Sequence, residues 1–147
     1  MTGSEIVLRK ITEESEVHAC FQLMRQLRPQ MNSESQFLEC WQRQATQGYC
    51  ISGLFRGAEL VALAGYRVLE NLTHGRFLYV DDLVTDAAHR GDGHGTRLMN
   101  HLREEARALR CAKLLLDSAM SNSLGHRFYF RTGLLASALR FTLPIAA

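Results

Sequence analysis

Long apolar runs are missing from this sequence. Nowhere do 18 apolar residues follow one another, and the opening segment MTGSEIVLRKITEESE lacks the apolar stretch of a secretory leader. Neither a membrane span nor export is therefore expected, and the chain reads as cytoplasmic. Charge of one sign is also scarce: 17 Lys and Arg stand against 15 Asp and Glu, with no block of five or six like charges. That balance is too mild for a nucleic-acid partner. Cysteines occur only at positions 20, 40, 50 and 111, with no CxxC and no short Cys/His spacing. They read as reduced thiols rather than a disulfide framework or a zinc site. Repeats, low-complexity tracts and linkers are absent too. What remains is 147 residues, 46% of them hydrophobic, and a chain of that size buries roughly 70% of its unfolded surface without staples. One domain spanning 1–147 is the expectation.

Periodicity divides the chain into alternating elements. Residues 5–11 suit a first strand, and 13–27 place Val17, Phe21, Met24 and Leu27 at helical spacing before Pro29 stops the run. Ser33 with Gln36 makes a capping-box start for a second helix carrying Phe37, Leu38, Trp41 and Ala45, ended by Gly48. Trp41, Phe37 and Leu38 are expected to pack that helix on a sheet. Residues 49–55 and 60–68 form a hairpin about RGAE, and 76–85, RFLYVDDLVT, make a third long strand. Residues 95–109 carry Leu98, Leu102, Ala106 and Leu109 on one helical stripe. The apolar run 113–118 reads as a strand covered on both faces, 122–131 as a short helix and 134–143 as a final strand. The order β-α-α-β-β-β-α-β-α-β predicts an α/β fold with a mixed sheet.

Between the third long strand and the following helix stands HRGDGHG, which puts Gly91, Gly93 and Gly95 into five positions. Glycine in regular structure costs up to about 1 kcal/mol relative to alanine, so three together call for a reason. A helix start offers unpaired N–H groups and about half a positive charge, and glycines let an anion approach those amides. Arg90 adds a cation. A dinucleotide-binding GxGxxG fails, because the final glycine falls on Thr96 or Leu98, and GK[ST] is absent. A purely structural turn is the competing reading.

The string Arg90-Gly91-Asp92-Gly93-His94-Gly95, an R-x-x-G-x-G leading into TRLMNHL, resembles the acetyl-CoA diphosphate loop of the GNAT superfamily of N-acetyltransferases. Asn122, followed seven residues later by Tyr129 within GHRFYFRTG, resembles that superfamily's N-x-x-A-x-x-[FL]-Y-x-x-x-G signature. Here Gly125 replaces the usual alanine, and Leu134 the usual aromatic. The likeness covers about 76–141, and VDDLVT, LDS and HRFYFR look most like small bacterial members that acetylate free amines, including aminoalkylphosphonate acetyltransferases.

The resemblance implies acetyl-CoA as the acetyl-donor cosubstrate, an amine acceptor and no metal. Its diphosphate would meet Arg90, Gly91, Asp92, Gly93, His94, Gly95 and Thr96, and its pantetheine arm the backbone of Leu83, Val84 and Thr85, with Asn122 and Tyr129 completing the set. Tyr129 is the candidate acid for the departing thiolate; a core tyrosine with a satisfied hydroxyl is its alternative. Aminolysis also needs the ammonium proton removed, since an amine with a pKa of about 10.4 arrives charged at pH 7. Asp81 and Asp82 are the candidates for that task. Successive strand residues point to opposite faces, so the two are not expected to share a pocket. The resemblance favours Asp81 as base and leaves Asp82 as a possible backbone tether; two solvated-edge carboxylates are the alternative.

Other residues are weighed and set lower. His89, His94 and His101 are five and seven apart, off the i,i+4 spacing of helical metal ligands, and read as surface histidines. His126 lines the pocket or packs. Cys50 or Cys111 as an acyl-carrying nucleophile competes with buried structural cysteine. Glu34, Glu39 and Gln42 would border the acceptor. The resemblance and the apolar tail 133–147 imply a homodimer. A protein N-acetyltransferase and a non-catalytic acetyl-CoA-binding regulatory module are the rival functions.

Overall fold

The glycine turn and the strand before it owe their placement to a mixed sheet with helices on both faces. A computed structural model describes residues 5–146, and the chain divides into two compact units, Met1–Leu116 and Asp117–Ala147. The first unit runs β1 (Ile6–Ile11), a 3₁₀ turn, α1 (Val17–Leu27), α2 (Glu34–Ala45), β2 (Cys50–Arg56), β3 (Glu59–Asn71), β4 (Gly75–Thr85), a second 3₁₀ turn, α3 (His94–Ala108) and β5 (Lys113–Leu116). The sheet order is β1-β2-β3-β4-β5. Its first four strands pair antiparallel, and β4 pairs parallel with β5 because α3 provides the crossover.

Period-2 alternation along the strands builds a separate core on each face. Ile51, Leu63 and Val84 meet Phe21 and Met24 of α1 and Phe37 of α2. On the opposite face Val61, Ala64, Tyr66 and Leu78 meet Leu98 and Leu102 of α3. Each buried Val, Ile, Leu, Phe or Met side chain among these contributes about 1.5–3 kcal/mol. Trp41 packs at the edge of the first core, its ring 5.9 Å from that of Phe37. The start of α2 is fixed from both sides: Ser33 Oγ accepts from the Gln36 N–H at 3.2 Å, and Gln36 Oε1 accepts from the Asn32 N–H at 3.0 Å. Pro29 follows α1 by two residues and blocks its continuation.

The second unit holds α4 (Ser123–Arg131) and a tail. Two expectations are corrected. The strand expected over 113–118 ends at Leu116, and as the sheet's edge it is half-buried rather than covered on both faces. The final strand expected over 134–143 does not form: residues 134–146 are neither helix nor strand. A strand exists only where its N–H and C=O groups find a ladder. Here the run LLASAL lacks the period-2 alternation that would direct one.

Candidate active site

The two aspartates of β4 share a face after all. Gly65 pairs with Asp82 and Tyr66 with Val80, so Asp81 is an extra residue, a β-bulge. A bulge breaks the alternation on which the opposite-faces expectation rests. Both carboxylates therefore join one cluster on the α1/α2 side. Asp82 accepts at Oδ1 from Arg28 Nε, 3.1 Å, and at Oδ2 from the Tyr49 hydroxyl, 2.6 Å. Asp81 accepts at Oδ2 from Arg67 Nε, 2.9 Å, and among the described residues its Oδ1 accepts no hydrogen bond. The Arg67 guanidinium lies 5.2 Å from the Tyr49 ring centre, and its other nitrogens donate to Gln44 and Gln47. Gly65 makes this possible, because a Cβ there would stand 2.0 Å from Tyr49 Oη.

The two carboxylates are not equivalent. Asp82 has both oxygens engaged and 12% of its side chain exposed; Asp81 has one oxygen without a partner among the described residues and 24% exposed. Burial pushes the Asp81 carboxyl above its ordinary range, and the Arg67 hydrogen bond and charge oppose that rise. Burial, followed by the neighbouring Asp82 charge, pushes Tyr49 well above the usual tyrosine range, so it stays a donor to Asp82. Sequence reasoning missed Arg28, Tyr49, Arg67 and Gly65. One local signal was present: a glycine inside a strand pattern marks a bulge or a close approach. Tyr49 also lines a cleft of about 310 Å³ with Ile11, Leu38, Trp41 and Gln42. Gln42 lines this cleft and, with Glu39, Arg43, Thr46 and Gln47, a second and more open depression, while Glu34 bonds His18.

Beyond Val80 the geometry changes from side chains to backbone. The ladder with β5 stops at Val80↔Leu116, so Asp81 to Thr85 have no strand on that side among the described residues. Leu83 packs toward α3 and Val84 toward α1, which leaves only their backbone for a ligand. The connection to α3 is tied down at its start: the Asp86 N–H donates to the Val61 carbonyl at 2.8 Å, and its carboxylate accepts from Gln26 and the Ala88 N–H. Then Gly91 and Gly93 take left-handed backbone, φ +89° and +82°, with open space where a Cβ would stand. Gly93 caps α3 without a side-chain acceptor, so the first amides of the helix, through Thr96, have no side-chain cap. Arg90 and Asp92 are exposed, whereas His94 is 5% exposed, its ring against His89 and its Nε2 4.0 Å from the Asp92 carboxylate. The residues fit a diphosphate: open glycines, uncapped amides and one adjacent guanidinium.

In the second unit Asn122 caps α4, its Oδ1 accepting from the Gly125 N–H at 3.1 Å. A Cβ on residue 125 would stand 2.3 Å from Asn122 Nδ2. Glycine in place of the usual alanine thus gives the cap its room. Tyr129 is half-buried beside Phe128, with ring centres 5.6 Å apart. His126 Nε2 donates to the Ala119 carbonyl at 2.8 Å, a local structural bond.

The three histidines expected at the surface are not there. His94 is buried, His89 Nε2 lies 3.0 Å from Glu59, and His101 Nε2 lies 3.1 Å from the buried Ser52 hydroxyl, with burial lowering its pKa. Ligand atoms of Glu59, Asp86 and His89 fall within 4.8 Å of one another. Arg56 Nη1, 3.4 Å from His89 Nδ1, sets a positive charge against a cation there. All four cysteines are free; burial pushes the Cys20 thiol up to about 12, and Cys50 and Cys111 pack against the α3-side core.

Comparison with known proteins identifies the family. The sequence profile described as Acetyltransferase (GNAT) family matches residues 16–134. The chain belongs to that family. It is an acyltransferase that uses acetyl-CoA. It is 27% identical over 144 residues to an uncharacterized N-acetyltransferase of Bacillus subtilis (strain 168), YhdJ, covering 95% of this chain and 99% of that one. Among solved structures, aminoglycoside N-acetyltransferase AAC(6')-Iy in complex with CoA superposes with TM-score 0.85 at 11% identity, over 99% and 98% of the two chains. The ribosomal-protein-alanine N-acetyltransferase of Brucella melitensis biovar Abortus 2308 does so with 0.82 at 17%, over 97% and 100%. At those identities the likeness is one of fold. Among the described residues no helix is long and apolar enough to cross a membrane.

Proposed function

We propose that this GNAT enzyme acetylates the primary amine of a small molecule by direct attack, with Asp81 as base. The observation that carries this is the unequal state of the two aspartates: Asp81 keeps one oxygen without a partner among the described residues and has a raised pKa, while Asp82 is spent on Arg28 and Tyr49. The ammonium gives its proton to Asp81, directly or through water. The free amine forms a C–N bond at the thioester carbonyl, the C–S bond breaks, and Tyr129, in the role its motif suggests, gives a proton to sulfur; the second nitrogen proton, shed as the amide forms, passes through water to the tyrosinate and restores it. Gly91 to Thr96 and Arg90 would hold the diphosphate, and the free side of β4 at Leu83 to Thr85 the pantetheine amides. Because the family match crosses from 16 to 134, we treat 1–147 as one working domain.

The test is thiol release from acetyl-CoA across a panel of amines and peptides. Small amines should be turned over and peptides not; the reverse overturns the acceptor class. Tyr129→Phe should lower kcat roughly 10²- to 10⁴-fold with KM for acetyl-CoA little changed. Asp81→Asn should cost most at low pH, where the amine is charged, and less as pH nears the amine's own pKa. The wild-type acid limb attributable to Asp81 should lie above the ordinary carboxylate range, since burial raises its pKa. Equal loss at every pH would remove the base role.

The tail leaves Leu139, Phe141 and Leu143 between 69% and 87% exposed, which supports the homodimer as a cover for that surface. A monomer mass in sedimentation at micromolar concentration would end it.

A further inference from the structure

One carboxylate stands inside the loop that is read as an anion cradle. Asp92 lies between the left-handed Gly91 and Gly93, with 54% of its side chain exposed. Like charges repel, so an acid beside a diphosphate is a cost that needs an answer. The answer lies one residue into α3. The His94 side chain is 5% exposed, and its buried Nε2 has no hydrogen-bond partner among the described residues. Buried polar atoms without partners are few in native proteins, and each calls for a reason. This one faces the acid of the loop, 4.0 Å from Asp92 Oδ2 and beyond hydrogen-bond reach. The other imidazole of this corner is already engaged. His89, its ring centre 6.4 Å from that of His94, lies 3.0 Å from Glu59 and 3.4 Å from Arg56. Asp86 stands in the same group as Glu59 and His89, exposed Arg90 precedes the loop, and exposed Arg97 lies one turn along α3.

We infer that His94 is a positioning residue for the cofactor: when the diphosphate binds, His94 takes a proton from solvent and draws the Asp92 carboxylate off the loop onto Nε2–H. This rests on the reading of Gly91 to Thr96 as the diphosphate site. Three charges then decide the outcome. The positive end of α3 opposes a cation at its first residue, and a bound diphosphate reverses that field. The same diphosphate repels Asp92, whose short exposed side chain is free to swing. The only buried polar atom within its reach is Nε2, and an imidazolium offers a donor at both ring nitrogens. Closing the 4.0 Å gap would satisfy the orphan atom, neutralise the acid and leave the helix amides to the ligand. An imidazole changes charge between about pH 5 and 8, so cofactor affinity becomes linked to pH: binding that takes up a proton strengthens as pH falls.

Calorimetry of dephospho-CoA binding, run in two buffers of different ionisation enthalpy, counts the protons taken up. This ligand keeps the diphosphate and lacks the terminal phosphate, whose own titration near about pH 6 would intrude. Wild type should take up part of a proton near neutrality and bind about three- to tenfold more tightly at about pH 6 than at about pH 8.5. His94→Gln keeps a polar side chain that cannot be charged, and it should lose both the uptake and the pH dependence. Asp92→Asn removes the repelling carboxylate and should bind about two- to fivefold more tightly than wild type at about pH 8.5, with a flatter profile. At low pH, His94→Gln should cost affinity in the wild-type background and little in the Asp92→Asn background. The proton count on wild type and the Asp92→Asn profile leave the buried position intact, so both decide the matter even if His94→Gln fails to fold. Unchanged pH dependence in His94→Gln, or weaker binding by Asp92→Asn, overturns the inference. Wild-type binding without proton uptake also overturns it and leaves the diphosphate loop standing. If Gly93→Val binds dephospho-CoA as wild type does, the loop reading falls and takes this inference with it.

Discussion

Two neighbouring stretches of this chain use opposite materials. At Asp81 and Asp82 both carboxylates are held by side chains, in an arginine- and tyrosine-bonded cluster drawn from α2, β3, β4 and the residues just after α1 and just before β2. At Gly91 to Thr96 side chains are absent, exposed or turned away, and what faces outward is backbone with open space above two left-handed glycines. The difference has a physical cause. A transferable proton needs a group whose pKa the surroundings can set, and only side chains offer one. A diphosphate needs several donors in fixed directions, and the first turn of a 15-residue helix supplies them already ordered. Substitution should therefore split the two: damage to the first site should appear in kcat, damage to the second in cofactor affinity.

The largest effect is expected at Gly93. Its φ of +82° belongs to glycine, and a valine there would strain the backbone and project methyls into the space over the amides. Gly93→Val should abolish measurable acetyl-CoA binding, whereas Arg90→Ala, removing one charge-assisted contact, should weaken it about ten- to a hundredfold. Calorimetry on folded protein checks both. Unchanged affinity in Gly93→Val would break the division between a backbone site and a side-chain site.

That division also governs what could be read from sequence. The glycine loop was legible because its requirement is local: glycines before a helical stripe announce a tight turn and an uncapped helix start whatever lies elsewhere. The same holds for the Ser33 cap and the helix-spaced Phe21 and Met24. The aspartate cluster was legible only in part. Two carboxylates in an apolar strand were a visible cost seeking a reason, but their partners come from positions 28, 49 and 67, set by strand register rather than by spacing. The shared face depended on a single extra residue, and alternation alone assigned it wrongly. The histidines failed similarly: the spacing of His89, His94 and His101 argued against a metal motif, yet spacing carries no information about burial. The missing final strand marks the opposite limit, since apolar composition at 134–143 cannot by itself provide a ladder.

A smaller effect, at Gly65, tests whether the side-chain site is a unit. Adding a methyl there puts it 2.0 Å from Tyr49 Oη and 2.7 Å from Asp82 Oδ2, contacts that cannot persist. Tyr49 is buried between β2 and α2 and has little room to retreat, so Gly65→Ala should detach its hydroxyl from Asp82. The lost charge-assisted hydrogen bond and the added crowding together should lower stability by about 2–4 kcal/mol. Freed of one donor, the Asp82 carboxylate carries a less neutralised charge beside Asp81, and that raises the Asp81 pKa further. The acid limb of kcat/KM should therefore move to higher pH, while acetyl-CoA affinity, set by the glycine loop, stays within about threefold of wild type. The pH shift distinguishes this from general loosening. A variant that is merely unstable loses active protein at every pH and keeps the position of the limb. If the limb stays in place while stability falls, Tyr49 and Gly65 only pack the strand, and Asp81 acts without them.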